Sequence, residues 1–322
     1  MHDLLEGIIP IELSDILGKL RDGGYISLNE FDLLLTKFSF GSSDVNSRPT
    51  TFSSLTHSKM TASECWCLMR NPPFIIGHNV PRDEPHWNLL LLLMEIVDIV
   101  LSPRVNNGLA SYLSHLIGEN HQTYLNLFPE KRLTPKHHYL VHYPTALIRC
   151  GPPCRYWCMR FESRHNFFKQ ISRDSHCFKN IAFSLTKRSQ IILANAFLAH
   201  SLFSSHTVIG TTKEKIVCQI EPCDVCQFLC NNFLLSKTET VHVAQWIEVG
   251  HYRIENKSVV MCGFCDGIPE FGYVECIVYL GNIAFMLLRR LTVNYFDNHF
   301  HGYAIYYNPC SKLFSTQLKL KS

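Results

Sequence analysis

The chain has little that would carry it into a membrane. Its most apolar run, Leu89 to Leu101, contains Glu95 and Asp98 and falls short of the roughly 20 apolar residues a membrane helix needs. The opening MHDLLEGIIP has an acid at position 3 and no basic segment ahead of its apolar residues, so it does not read as a secretion signal. Also missing are G-x-S-x-G, a P-loop and H-E-x-x-H, the signatures of three large enzyme classes. A Cys-dependent hydrolase stays open only because cysteine and histidine are plentiful, at 14 and 17. Without a secretory signal those thiols are expected to be mostly reduced, in a soluble protein that is neither secreted nor membrane-bound. Hydrophobic content of 46% and charged content of 18% are ordinary for a globular chain. A length of 322 residues predicts two domains.

Acids are scarce in one stretch. Residues 131–190 hold twelve Lys/Arg against Glu162 and Asp174, a local +10 in a chain of +3, so the remainder carries −7. Charge concentrated in this way suits a polyanion, most simply nucleic acid, although a solvated basic face reads the same way. The stretch includes KHHYLVHYPTALIRCGPPCRYWCMRFESRHNFFK, from Lys136 to Lys169. Taken as a helix from Trp157 to about Ser172, it puts Trp157, Phe161, Phe168 and Ile171 on an inward face. Glu162, Asn166, Lys169 and Arg173 fall on another, so that one carboxylate heads a cationic strip. A metal-dependent nuclease site needs a carboxylate with basic groups nearby. An ordinary amphipathic helix needs nothing more than this pattern.

Up to about residue 203 the pattern is helical. Leu4, Leu5, Ile8, Ile11, Ile16 and Leu20 stripe a helix over 3–22 that ends at Gly23-Gly24. Ser27 as N-cap with Glu30 three residues on predicts a second helix to Lys37, and residues 41–59 read as a loop. Helices are expected from Thr61 to Arg70, with Trp66 and its flanking cysteines in the core, and from Gly108 to Leu127. Between them, Trp87–Leu101 is apolar nearly all round, as for the central helix of a bundle. Its Glu95 and Asp98 fit a solvent edge better than a catalytic pair. His138 and His142 have i, i+4 spacing and no third ligand nearby, so packing or phosphate contact is favoured over a metal. A final helix over 177–203 turns Phe178, Ile181, Leu185, Ile192, Ala196 and Leu202 inward.

Past 204–212, which reads as a linker, β-branched and aromatic residues alternate with polar ones. Strands are expected at 215–220, 241–249, 252–254, 258–262, 272–280, 283–288 and 303–307, with Gly281-Asn282 marking a hairpin. They suit one small antiparallel barrel or curled sheet over 213–322. Cys223, Cys226, Cys262 and Cys265 form two C-x-x-C pairs that can offer four thiolates to Zn²⁺. Their separation exceeds the usual spacing, and unrelated buried or surface cysteines give the same sequence. The trio Cys150, Cys154 and Cys158 spans the Gly-Pro-Pro turn and is weaker still as a metal set.

The run HHYLVHYPTALIRCGPP-RYWCMRFESRHNFFK, together with the opening MHDLLEGIIPIEL, resembles the C-terminal part of transposases of the CACTA (En/Spm-like) group over roughly residues 1–190. That resemblance implies a ribonuclease-H-like DDE/D core interrupted by a helical insertion, with Mg²⁺ as cofactor. It matches Glu162 to the third catalytic acid and His2 to the His of a Cys/Asp-x-x-His motif. The chain begins at Met1–His2, so the residue three before His2 is absent, as are two catalytic aspartates and the strands that would carry them. The fold expected is therefore α+β. A helical region over 1–203, comprising the insertion and the last helix of a ribonuclease-H-like core without its sheet, precedes a small β-domain. The function expected is a truncated, nuclear, transposase-derived protein without strand-cleaving activity, since one acid cannot assemble a two-metal site. It would bind DNA through Lys136, Arg155, Arg160, Arg164, Lys169 and Arg173. The alternative is a non-catalytic module whose β-domain reads a protein or nucleic-acid partner.

Overall fold

The computed structural model describes residues 2–49, 60–176, 179–199, 207–249, 252–281 and 283–319, with the side chains of Ser43, Arg160 and 317–319 outside the description. The fold is α+β, as expected: among the described residues ten α-helices precede a region of antiparallel sheets. The chain divides into two units. One comprises 1–40, 44–194 and 299–301, and the other 41–43, 195–298 and 302–322. The division falls between Ala194 and Asn195, inside a helix, and not in the 204–212 segment.

In the helical unit a π-helical turn, Leu4–Ile8, runs into α1 (Ile9–Asp22). The widened turn is closed by the Ile8 N–H donating to the Asp3 carbonyl at 2.9 Å. Helix α2 (Leu28–Lys37) starts where Ser27 Oγ accepts from the Glu30 N–H. Half of the anticipated capping box forms, and Glu30 instead accepts from Asn79. The reciprocal box appears at α3 (Ala62–Met69), between Thr61 and Glu64. Cys65 and Cys67 of α3 are buried as expected.

After α4 (Pro72–Ile76), helix α5 (Pro85–Leu101) passes through the middle of the core. Nine of its side chains are buried, from Trp87 to Val100, on more than one face. It packs against α1 and α6 (Asn107–Leu127). Glu95 and Asp98 do not pair: Tyr112 donates to Glu95 at 2.7 Å, and His301 engages Asp98 at 3.0 Å. Nearby, Trp87 donates to the carbonyl of His299, and His299 Nε2 donates to the Gly77 carbonyl.

A second kind of interior runs between α1, α6 and α7 (Pro135–Leu140). Glu12, Asn120 and His137 are fully buried. Asn120 Nδ2 donates to Glu12 at 3.0 Å. The Thr134 N–H donates to His137 Nδ1 at 3.1 Å. Nδ1 is thereby an acceptor, and in the neutral ring the proton sits on Nε2, 3.2 Å from Glu12. Beside them Tyr124 donates to Asp15 at 2.6 Å, and Lys131 holds the other Asp15 oxygen at 2.7 Å.

Helix α8 (Tyr143–Cys150) ends at Gly151, whose φ of +79° turns the chain into the prolines, and α9 (Met159–Ser175) and α10 (Ile181–Leu198) follow. Here the sequence reading needs correction. Trp157 meets Trp66 edge-on at 5.6 Å, and Met159 rests on the core. Phe161, however, is 70% exposed, and Phe168 and Ile171 are only partly covered. In α10 no residue is buried: Ile181, Leu185 and Ala196 are half-covered at best, and Ile192 is exposed. Phe178 and Leu202 lie outside the described residues. Periodicity marks an apolar stripe but cannot supply the surface that would cover it.

In the second unit β7 (Ile268–Leu280) is the axis. Strand β8 (Ile283–Arg290) lies along one edge. The other edge is shared by β6 (Val259–Cys265) and β3 (Thr240–Ala244). With β11 (Leu313–Lys319) on β8 and β2 (Thr212–Ile216) on β3, the sheet has six strands. The β7–β8 hairpin turns at Gly281, with φ +59°, where the sequence suggested. A bulge at Glu275 interrupts the β7–β8 register. It shifts the alternation, so that Val274 and Cys276, two residues apart, face opposite sides of the sheet.

One face is covered by α11 (Cys223–Phe233), a helix the strand pattern did not reveal. The other is covered by residues of a three-stranded sheet, β1 (Thr207–Ile209), β4 (Trp246–Val249) and β5 (Tyr252–Glu255). Strands β9 (Thr292–Asp297) and β10 (Gly302–Tyr306) pair separately. Among the described residues the unit is thus built of three sheets and a helix, not one closed barrel. Arg289 is buried and holds it together, binding Asp224 at 2.5 Å, Glu275, and the carbonyls of Pro309 and Ser311.

A candidate site where the first turn meets α9

Cys158 is the N-cap of α9, and Glu162 lies one turn later, so both project from the same face of the helix start. His2 arrives from the far end of the sequence. Its Nε2 is 3.3 Å from Glu162 Oε1, and His2, Cys158 and Glu162 present one ligand atom each within 4.8 Å of one another. The two residues that the resemblance singled out, His2 and Glu162, are therefore neighbours. Cys158 is the partner that sequence reasoning missed. The sequence groups it with Cys150 and Cys154, and its i, i+4 spacing to Glu162 is a readable signal.

The position of His2 is held at two points, on its ring and on its backbone carbonyl, although the side chain itself is exposed. Glu6, one turn along, accepts from His2 Nδ1. Lys136 on α7 donates to the carbonyls of Glu6 at 2.9 Å and His2 at 3.4 Å. Gly7 makes room for that lysine: a Cβ there would sit 2.3 Å from Lys136 Cδ and 2.9 Å from the His2 carbonyl. The Glu6 hydrogen bond raises the His2 pKa; desolvation opposes it, and the Glu6 and Glu162 charges add to the rise.

Beyond the site α9 is a cationic surface. Lys169 and Arg173 are exposed, as are Glu162 and Asn166, as the helical spacing predicts. With His165, Phe168, Ser172, Ile181 and Leu185 the two cations line an open groove of about 350 Å³ between α9 and α10. The Arg164 guanidinium lies over the Phe167 ring at 4.3 Å. Arg155 is exposed and reaches the Pro103 carbonyl at 3.4 Å. Lys136 is committed to the carbonyls above, so it is less available than its sequence context implies. Arg160 sits in α9 with its side chain outside the described residues.

Other sequence candidates do not assemble. Cys223 and Cys226 lie on α11, with Cys226 buried against the sheet, whereas Cys262 and Cys265 are exposed on β6. Among the described residues the two C-x-x-C pairs do not come together as a four-thiolate cluster, which leaves the reading as separate buried and surface cysteines. Among the described residues the only cluster of three or more metal-ligating groups is His2, Cys158 and Glu162. His138 and His142 meet, Nε2 to Nε2 at 3.3 Å, without a third ligand. Burial pushes the Cys65 thiol up to about 12 and Cys67 up to about 11, which suits packing and not nucleophilic attack.

Mg²⁺, implied by the resemblance, prefers an octahedron of oxygens. Glu162 offers one carboxylate beside an imidazole and a thiol, while Glu6 is engaged on the imidazole. These residues do not fit that ion. No family model, curated protein or solved structure matches the chain. Among the described residues no helix is long and apolar enough to cross a membrane.

Proposed function

We propose that this is a transposase-derived, nuclear, DNA-binding protein of CACTA type that does not cut DNA. The observation that carries the reading is the approach of His2 to Glu162, two positions matched independently to the family's motifs. The exposed cations of α9 support the binding half of the proposal, since phosphate contacts need lysine and arginine that are not already paired. Glu6, the other carboxylate at this site, is engaged on the His2 ring, and Glu162 alone falls short of the converging carboxylates a two-metal centre needs.

The test is duplex-DNA binding by fluorescence anisotropy across a salt series. Affinity should fall steeply with salt and be nearly independent of sequence. The double variant Lys169→Glu, Arg173→Glu should weaken binding on every duplex and flatten the salt slope by about 2. Affinity that is absent or flat with salt refutes the binding assignment. Mg²⁺-dependent nicking that disappears in Glu162→Ala refutes the assignment as non-catalytic.

A second reading rests on the sheet unit. Tyr295, Tyr303 and Tyr306 are exposed on the β9–β10 hairpin, and exposed aromatic rings can stack on unpaired bases. Preference for single-stranded over duplex DNA, lost in Tyr303→Ala, would move the binding function there.

A further inference from the structure

From the geometry we infer that His2, Cys158 and Glu162 form a binding site for a borderline-soft divalent cation of the Zn²⁺ class, with Glu6 as the carboxylate that orients the histidine. The donor set decides the class of ion. An imidazole, a thiolate and a carboxylate within 4.8 Å of one another suit Zn²⁺ or Co²⁺ and leave a fourth tetrahedral position for water or a ligand.

The orientation is already set. A carboxylate oxygen can only accept, so His2 Nδ1 carries the proton shared with Glu6. In the neutral ring, Nε2 then presents its lone pair to the Glu162 carboxylate 3.3 Å away, with Cys158 alongside. Two lone pairs facing each other repel, and only a cation between them, a proton or a metal, relieves this. A histidine whose second nitrogen donates to a carboxylate while the first meets the ion is the usual outer-shell arrangement of zinc sites. Lys136 and Gly7 keep the turn in register, so the protein does not order a free segment to bind. Loading is a displacement: the incoming cation takes the place of the Cys158 proton and of any proton on Nε2, both of which leave to solvent.

The inference does not rest on DNA affinity, and its readout is separate. The reduced full-length chain is titrated with cobalt(II) chloride, and the near-ultraviolet thiolate-to-cobalt band and the visible bands of tetrahedral cobalt are recorded. We expect the tight-binding phase to saturate at one equivalent and to bleach on adding zinc chloride. Cys158→Ser should lose the near-ultraviolet band of that phase. His2→Gln should lose the phase. Glu6→Gln should keep the band with affinity reduced about 10-fold or more. The other thiols make the variants decisive. A band of equal intensity and midpoint in Cys158→Ser, or in His2→Gln, assigns the cobalt to another cysteine cluster and overturns the site. So does the absence of any tight phase in a wild-type chain whose circular dichroism shows it folded.

Discussion

Helices α5 and α10 are similar in length and both rich in leucine, isoleucine and phenylalanine or tryptophan, yet they have opposite fates. Nine side chains of α5 are buried, and none of α10. In α10, Phe183, Ile191, Leu193 and Phe197 stay exposed, and Leu198 is 80% exposed. The difference lies in the neighbours. Helix α5 lies against α1 and α6, which bring their own apolar faces. Helix α9, which shares a groove with α10, brings Lys169, Arg173, His165 and Ser172 with Phe168 as its one apolar side chain there. Apolar composition sets the demand for burial, and tertiary topology decides whether it is met.

The sharpest test of the core side is its buried polar centre. His137→Ala leaves the Glu12 carboxyl buried without its imidazole and is expected to cost about 3–5 kcal/mol, read by chemical denaturation monitored at 222 nm. A loss near zero would mean that α1, α6 and α7 are not packed as described. Leu93→Ala, in the fully buried stretch of α5, should cost about 2–5 kcal/mol.

Acid attacks the same region. His121 has a buried Nε2 without a partner, and its ring lies 5.5 Å from that of His137. Burial, and then the neighbouring His137, lower its pKa to about 4. Because the unfolded chain binds this proton near its ordinary value of about 6.5 and the folded chain does not, stability falls as pH drops from about 6.5 towards 4. The groups that face it are His137, with Glu12 and Tyr124 beyond. The expected loss by pH 4 is on the order of 2–3 kcal/mol, and His121→Phe should remove most of that pH dependence. An unchanged dependence in the variant would assign it to other groups.

Smallest of all should be Phe183→Ala in α10, within about 0.5 kcal/mol of wild type as for a surface substitution. Amide exchange should separate the two helices as well, with α5 the slower. A Phe183→Ala effect as large as that of Leu93→Ala would erase the contrast between the helices.

Much of this contrast could be read in the sequence for α5 and none of it for α10. A helix apolar on every side announces its own burial. A one-sided stripe such as Ile181, Leu185 and Ile192 states only which face wants covering. Caps and turns were legible because they are local: Ser27, Gly23-Gly24 and Gly281 act on backbone a few residues away. Helix α11 was hidden because its Cys223 and Cys226, in a β-rich context, read as metal ligands, whereas its Val225, Cys226 and Leu229 pack against the sheet. The quartet failed as a site because helix α11 and strand β6 carry its halves to different environments. At the candidate site, His2 and Glu162 came from a resemblance and not from spacing. Cys158 stands four residues from Cys154 and four from Glu162, so spacing alone does not say which of the two it joins.

The clasp between residues 2 and 162 has a kinetic meaning as well. Its two halves are separated by most of the helical unit's sequence, and loop closure over so long a tether is entropically costly until the intervening helices have condensed. Contacts of such long range tend to form after local ones and raise the contact order of the fold. The junction of the π-helical turn with α9 is therefore expected to be a late event in folding, and a spectroscopic probe placed there would report completion of the helical unit, not its nucleation.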